Sequence, residues 1–217
     1  MGLAKLKEYY YTTEEFLEID RATDERYEYV DGVIYQMAGE SGEHGDICTN
    51  FLSELRFQLK GKNCRARSKD TKVRSGMLSS KGNQVMKGMF SYPDIVVICG
   101  EPEYHDKRRD IILNPKVIVE VLSDSTENFD RHDKFSRYRM FNPTLSDNIF
   151  VSQDEPIIEH FVRAEDNSWT LYTHVGLDKV FKITSIDCEL KLSEIFDLVE
   201  FSDEVLASLA ESHYNQK

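Results

Sequence analysis

The chain has 217 residues, 40% of them hydrophobic and 11% aromatic, which is enough to bury one substantial core, so a single domain over 1–217 is expected. No stretch approaches the roughly 18 apolar residues of a membrane span, and Met1-Gly2-Leu3-Ala4-Lys5-Leu6-Lys7-Glu8 lacks the apolar segment of a signal peptide. A formal net charge of −12 argues, taken alone, against binding a polyanion.

The first predicted element is a short helix opening at Thr12-Thr13-Glu14-Glu15-Phe16-Leu17, where Thr before Glu has capping character. Arg26–Val30 and Val33–Met37 flank Asp31-Gly32 and read as a two-residue hairpin. A helix from about Glu43 to Lys60 carries Ile47, Cys48, Phe51, Leu52, Leu55 and Leu59 at helical spacing. Two basic strands follow, around Cys64–Ser68 and Thr71–Arg74. Between Lys60 and Phe90 stand nine basic residues against one acid, a local +8 inside an acidic chain. Arg65, Arg67, Lys72 and Arg74 are therefore candidates to dock a DNA backbone. The alternative is a solvated hairpin whose charges blunt an exposed edge. A loop rich in Gly and Ser runs from Ser75 to Gly88.

Two β-branched runs come next, Ser91–Ile98 with Asp94 and Pro115–Ser123 with Glu120, each reading as a buried strand. A bare carboxylate is costly to bury, and two on neighbouring strands can hold a hard divalent cation through oxygen. Each acid alone reads more simply as a strand end closed on a backbone donor. A helix from about Asp130 to Met140 follows, with Asp130 and Asp133 expected as caps and a salt bridge open to Asp130. Lys134 shares a stripe with Tyr138 and Phe141, which predicts an inward-facing ammonium in need of an acid. The alternative is a lysine that snorkels over Phe135 into water. Asn148–Ser152, Ile157–Val162, Trp169–Thr173 and Lys179–Ile183 read as short strands, and Leu192–Leu198 and Asp203–Ser212 as helices. This order predicts an α/β or α+β core, a mixed central β-sheet flanked by helices with extra short strands C-terminal. Cys48, Cys64, Cys99 and Cys188 are scattered without a CxxC pair. Zinc and a disulfide framework are not expected, Cys48 and Cys99 read as core, and a reducing cytoplasm fits. His44 falls on the apolar stripe of the second helix, as a satisfied core histidine or as a group that orients water or contacts phosphate. His105, His160 and His174 have no ligand-like spacing.

Tyr27-Glu28-Tyr29-Val30-Asp31-Gly32, His44, Pro93-Asp94, Glu120-Val121-Leu122-Ser123 and Asp130-x-x-x-Lys134 with Tyr138 resemble a family of restriction-endonuclease-like proteins of bacteria, within the PD-(D/E)XK nuclease superfamily. The resemblance runs from about Thr12 to Phe201 and leaves an acidic helical tail over 202–217. It implies the restriction-endonuclease-like fold and metal-binding acids at Asp94 and Glu120. Leu122 stands where the wider superfamily carries its lysine, and the resemblance implies that Lys134 supplies the ammonium from the following helix. Glu28 matches an acid that such nucleases carry on an early element. Between Tyr27 and Tyr29, it faces either solvent or the site. The expected function is Mg²⁺- or Mn²⁺-dependent hydrolysis of DNA phosphodiesters, with Asp94, Glu120, Lys134 and Glu28 catalytic, His44 and Asp130 accessory, and a homodimer cutting two strands. The competing expectation is a catalytically silent nuclease fold that binds DNA or regulates. A small-molecule metallohydrolase would instead need a closed pocket.

Overall fold

The computed structural model describes residues 4–5, 10–37, 39–76 and 87–214, without the side chains of 4, 5 and 210–214. Most of the expected Gly/Ser loop, including Lys81 of the basic strip, lies outside the described residues, as does most of Met1–Glu8. In chain order the elements are β1 (Ala4–Lys5), α1 (Thr13–Asp20), β2 (Tyr27–Val30), β3 (Val33–Gln36), α2 (Gly42–Gln58), β4 (Cys64–Ser68), β5 (Lys72–Ser75), β6 (Met89–Ser91), β7 (Ile95–Cys99), β8 (Ile111–Ile112) and β9 (Val117–Leu122). A π-helical turn (Phe129–Lys134) then runs into α3 (Phe135–Phe141). The remainder is β10 (Asp147–Ser152), β11 (Ile157–Arg163), β12 (Trp169–Val175), β13 (Val180–Ile183), β14 (Cys188–Lys191), α4 (Leu192–Ile195) and α5 (Asp203–Tyr214).

Local chemistry accounts for the early elements. Thr12 caps α1 by a reciprocal box, its hydroxyl accepting from the Glu15 N–H at 3.2 Å while the Glu15 carboxylate accepts from the Thr12 N–H at 2.8 Å. Asp31 and Gly32 turn the β2–β3 hairpin with φ of 45° and 94°. Positive φ at both positions gives the turn whose twist matches the strands.

The expected mixed-sheet, helix-flanked architecture is present, with the strands divided between two six-stranded sheets. One has the order β1-β3-β2-β6-β5-β8, the other β12-β11-β10-β9-β7-β4, and β13-β14 form a separate hairpin. The pairings are antiparallel apart from β9–β10 and β5–β8. The run read as one strand from Ser91 to Ile98 is two: the chain leaves the first sheet at Ser91 and enters the second at Ile95. Pro93, which cannot donate to a ladder, sits in the crossing.

The larger sheet is covered on both faces, which is why its central strands read as unbroken apolar runs. Val117, Val119 and Val121 of β9, with Ile95 and Val97 of β7, pack on Ile47, Phe51 and Leu55 of α2 and on the β13–β14 hairpin. The alternate residues Ile118, Val96 and Ile98 pack on Val73 and Met89 of the other sheet and on Tyr138. α1 closes the outer face of the smaller sheet through Phe16, Tyr29 and Phe90.

One expectation about the cysteines is corrected. β4 and β7 pair antiparallel with Cys64 opposite Cys99, and the two form a disulfide. Thirty-five residues separate them in sequence, and only the strand register brings them together. Cys99 is accordingly half-buried rather than core, while Cys48 and Cys188 are free and buried.

Candidate active site

Period-two alternation aims the acids. Glu120 shares the phase of Ile118, so it leaves the α2 side and points between the two sheets, 2% exposed. Asp94 keeps the phase of Val96 and precedes β7, which pairs with β9 through Ile95 and Val119. Its Oδ2 accepts the Val121 N–H at 2.8 Å. From the facing sheet comes Glu28, whose neighbour Tyr29 points the other way into the α1 core. Glu28 is 1% exposed and accepts the Tyr92 N–H at 3.0 Å. The solvent-facing reading of Glu28 is excluded by that burial.

Lys134 enters from the end of the π-helical turn and is 5% exposed, so its ammonium does not reach bulk water. Its Nζ lies 2.9 Å from Glu28 Oε1, 2.9 Å from Asp130 Oδ1 and 3.6 Å from Glu120 Oε1. The wider turn, in which the Phe135 N–H reaches back five residues to Asp130 O, sets this position. Asp130 and Asp133 are not caps, because helical backbone begins before them; Asp130 is buried inside the turn as an ion-pair partner and Asp133 faces solvent. Tyr138, one turn beyond Lys134, donates to Glu120 Oε1 at 2.9 Å, and Ser91 donates to Tyr138 at 2.8 Å.

Glu28, Tyr92, Asp94, Glu120, Asp130 and Lys134 line one cavity of about 310 Å³, together with His44, Glu40, Lys69, Arg26 and Gln153. His44 stands at the start of α2 with Nε2 3.4 Å from Asp94 Oδ2 and Nδ1 3.3 Å from Glu40 Oε2, so it belongs to the cavity wall rather than the core. Glu40, which also pairs with Lys69, had no signal in the sequence beyond lying four residues before His44. Tyr92 was hidden in the same way, inside a run read as strand.

The electrostatics follow from burial. Desolvation pushes the Glu120 carboxyl well above its ordinary 4.5; Lys134 opposes the shift, and Asp130, Asp94 and Glu28 add to it. Burial likewise raises Glu28 against the pull of Lys134. For Lys134 burial alone would depress the ammonium, but Asp130, Glu120 and Glu28 together hold it well above 10.5. His44 is pulled down by burial and pushed up further by Asp94 and Glu40, for a net rise.

Three carboxylates, each at most 3% exposed, thus share one ammonium, with Asp94 beside them against His44. Such surplus negative charge is costly unless a cation shares it. Asp94 and Glu120 offer oxygen ligands of the kind a hard divalent ion takes, so the donor set fits Mg²⁺ or Mn²⁺. A carboxyl whose pKa is raised in the folded state opposes folding by a penalty that is absent below the unfolded value of 4.5, grows as pH rises from there to the folded value, and is complete above it. In EDTA at neutral pH, Glu120→Gln should raise Tm by at least ~2–4 °C, the response of a chain this size to ~1 kcal/mol. The gain should vanish below about pH 4.5, and Mg²⁺ should stabilise the wild type more than the variant. A variant that melts no higher than wild type in EDTA contradicts this electrostatic account.

The basic strip divides. Arg65 is exposed on β4, and Arg67 is half-buried with its guanidinium donating to Tyr104 Oη at 2.7 Å. Lys72 and Arg74 are corrected as DNA contacts. Lys72 is 5% exposed, with Nζ 2.7 Å from Asp20 Oδ2 and 3.2 Å from Asp110 Oδ2. Arg74 is 8% exposed, over the Phe90 ring and 3.1 Å from His105 Nδ1. Composition counted their charge correctly, yet they face the interior of the fold. His160, which had no ligand spacing, is buried with its Nε2 hydrogen-bonded to Asp147 Oδ1 at 2.7 Å.

A family model described as "Uma2: Putative restriction endonuclease" matches residues 13–192. Two proteins of Synechocystis sp. (strain PCC 6803), both named as uncharacterized, are similar over most of their length. One is 30% identical over 183 residues, 84% of this chain and 90% of its own. The other is 28% identical over 165 residues, 76% and 88% respectively. A crystal structure described as a putative nuclease belonging to DUF820 from Anabaena variabilis has the same fold, with a TM-score of 0.69 at 16% identity over 87% of this chain and 99% of that one.

Proposed function

Because this chain belongs to the Uma2 family of restriction-endonuclease-like proteins, we propose that it is a divalent-metal-dependent endonuclease hydrolysing DNA phosphodiester bonds. The observation that carries the reading is the buried Lys134 ammonium, held by Glu28, Asp130 and Glu120 beside Asp94 in one cavity. Asp94 and Glu120 would hold Mg²⁺ or Mn²⁺, which when bound supplies Lewis acidity at the scissile phosphate and an acidified water.

The chain's own groups do the rest. Lys134, kept protonated by its three acids, does not take a proton from water; it donates hydrogen bonds and stabilises charge on the attacking water or a phosphate oxygen. Glu28 and Asp130 fix its direction. Tyr138 fixes one oxygen of Glu120, a residue of the cavity lining. Arg65, exposed at the sheet edge, and Lys69 and Arg26 on the cavity wall would meet a phosphate backbone. A homodimer would set two such sites against the two strands of a duplex.

The silent-fold reading, a DNA-binding or regulatory protein without turnover, draws on the burial of Lys72 and Arg74, which removes two cations from the basic strip. Nicking of supercoiled plasmid separates the two. Mg²⁺ or Mn²⁺ should support nicking and EDTA abolish it, while Asp94→Ala and Glu120→Ala, folded by circular dichroism, should lose at least ~10²-fold in rate. Undiminished nicking by both variants, or by wild type in excess EDTA, refutes the metal assignment. Binding of plasmid without any cleavage leaves the silent fold as the account.

A further inference from the structure

Behind the oxygen set of Asp94 and Glu120 lies a donor group of different chemistry. Cys48 is one helical turn beyond His44 on α2, the i,i+4 spacing that stacks two side chains on one face of a helix. Its Sγ is 3.5 Å from His44 Nδ1, and Asp94 Oδ2 is 3.4 Å from the other ring nitrogen. One donor atom from each of Cys48, His44 and Asp94 can be chosen so that all lie within 4.8 Å of one another. Glu40 Oε2, 3.3 Å from His44 Nδ1, stands ready as a fourth.

We propose that Cys48, His44 and Asp94, with Glu40 completing the set, form a binding site for a thiophilic divalent cation of the zinc class, separate from the hard-cation pair but sharing Asp94 with it. Tetrahedral zinc with sulfur at ~2.3 Å and nitrogen or oxygen at ~2.0–2.1 Å spaces its S and N ligands roughly 3.5 Å apart and its N and O ligands roughly 3.3 Å. The separations present are close to these, and closing the set needs only a swing of the imidazole so that one nitrogen serves both neighbours. Burial and the nearby carboxylates disfavour a free thiolate at Cys48, so without metal the thiol stays protonated against His44. Binding would release that proton to water, the new Zn–S bond replacing S–H. A hard ion gains little from sulfur, which makes the group selective for zinc over magnesium. Since one carboxylate serves both sites, zinc at Cys48 withdraws Asp94 from the hard cation and should inhibit cleavage. Only this last step rests on the nuclease reading.

The test titrates Zn²⁺ and Co²⁺ chlorides into the full chain with its Cys64–Cys99 bridge intact, for wild type, Cys48→Ser, Cys48→Ala and Glu120→Gln. Wild type and Glu120→Gln should give a near-ultraviolet thiolate-to-cobalt charge-transfer band and the same zinc affinity. Both Cys48 variants, melting within a few degrees of wild type, should lose the band and bind zinc weaker by about two orders of magnitude. In the nicking assay, the zinc concentration that halves each protein's own Mg²⁺-supported rate should rise at least about tenfold in the Cys48 variants. Zinc affinity unchanged in both folded Cys48 variants overturns the proposal, as does a wild type without the cobalt band. Equal weakening by Glu120→Gln also overturns it, placing zinc in the hard-cation site. Should nicking itself fail with Mg²⁺, the cobalt band and affinities still decide the zinc site.

Discussion

Lys134→Ala should cost about 3–5 kcal/mol of folding stability, the range measured when one partner of a buried ion pair is removed and the others are left uncompensated. Glu28, Asp130 and Glu120 all lose their counter-charge at once, and all three are at most 3% exposed. Chemical denaturation at pH 7 measures the loss. The sign with pH is fixed: the Lys134 pKa is raised in the folded state, so its contribution is complete below the ordinary 10.5 and is lost as pH rises through the folded value. Lys134→Met keeps the aliphatic stem and should destabilise less than alanine while remaining as inactive. Nicking should fall ~10²–10³-fold in both variants, as when a single charge-stabilising donor is deleted. Loss of stability with retained nicking would reduce Lys134 to a structural ion pair.

Lys72→Ala should be comparably destabilising, again about 3–5 kcal/mol, although Lys72 does not itself line the cavity. Its ammonium binds Asp20 at the end of α1, Asp110 before β8 and Tyr92 in the crossing between the sheets. Arg21 joins the same group through Asp106 and Asp110. Removing the lysine strands the Asp20 carboxylate, whose side chain is 1% exposed. For a chain whose total stability lies in the usual 5–15 kcal/mol, that loss brings it near unfolding at moderate temperature. Arg65→Glu, on the exposed edge, should leave the melting temperature within a degree or two and instead weaken DNA binding at low salt. If Lys72→Ala folds normally and loses DNA affinity, the assignment of Lys72 to the interior is wrong.

The two lysines mark where the sequence was legible and where it was not. Glu120 stood out because a strand buried on both faces must be apolar, so one carboxylate in Val117–Leu122 is an anomaly readable from one segment. Lys134 was readable for the same reason, on the stripe of Tyr138. Lys72 carries an equal anomaly, but its acids come from Asp20 and Asp110, far off in sequence, and a count of charges cannot tell a buried cation from a surface one. The Cys64–Cys99 bridge was hidden likewise, since strand register is a property of pairing, not of either strand. The salt bridge open to Asp130 is present, but its cap reading failed because it assumed an α-helix starting there, whereas the wider π-helical turn carries it inside. The two-sheet division was masked by two apolar stretches meeting at Tyr92-Pro93-Asp94, with Pro93 the clue.

The claim on which everything else depends is that Asp94 and Glu120 hold the catalytic cation. Crystals grown with Mn²⁺, measured at a wavelength where manganese scatters anomalously, test it directly. The account predicts an anomalous peak within ~2.0–2.3 Å of carboxylate oxygens of both Asp94 and Glu120, absent in Glu120→Ala crystals. Active protein with no peak between those two residues, or with manganese held elsewhere, would contradict it.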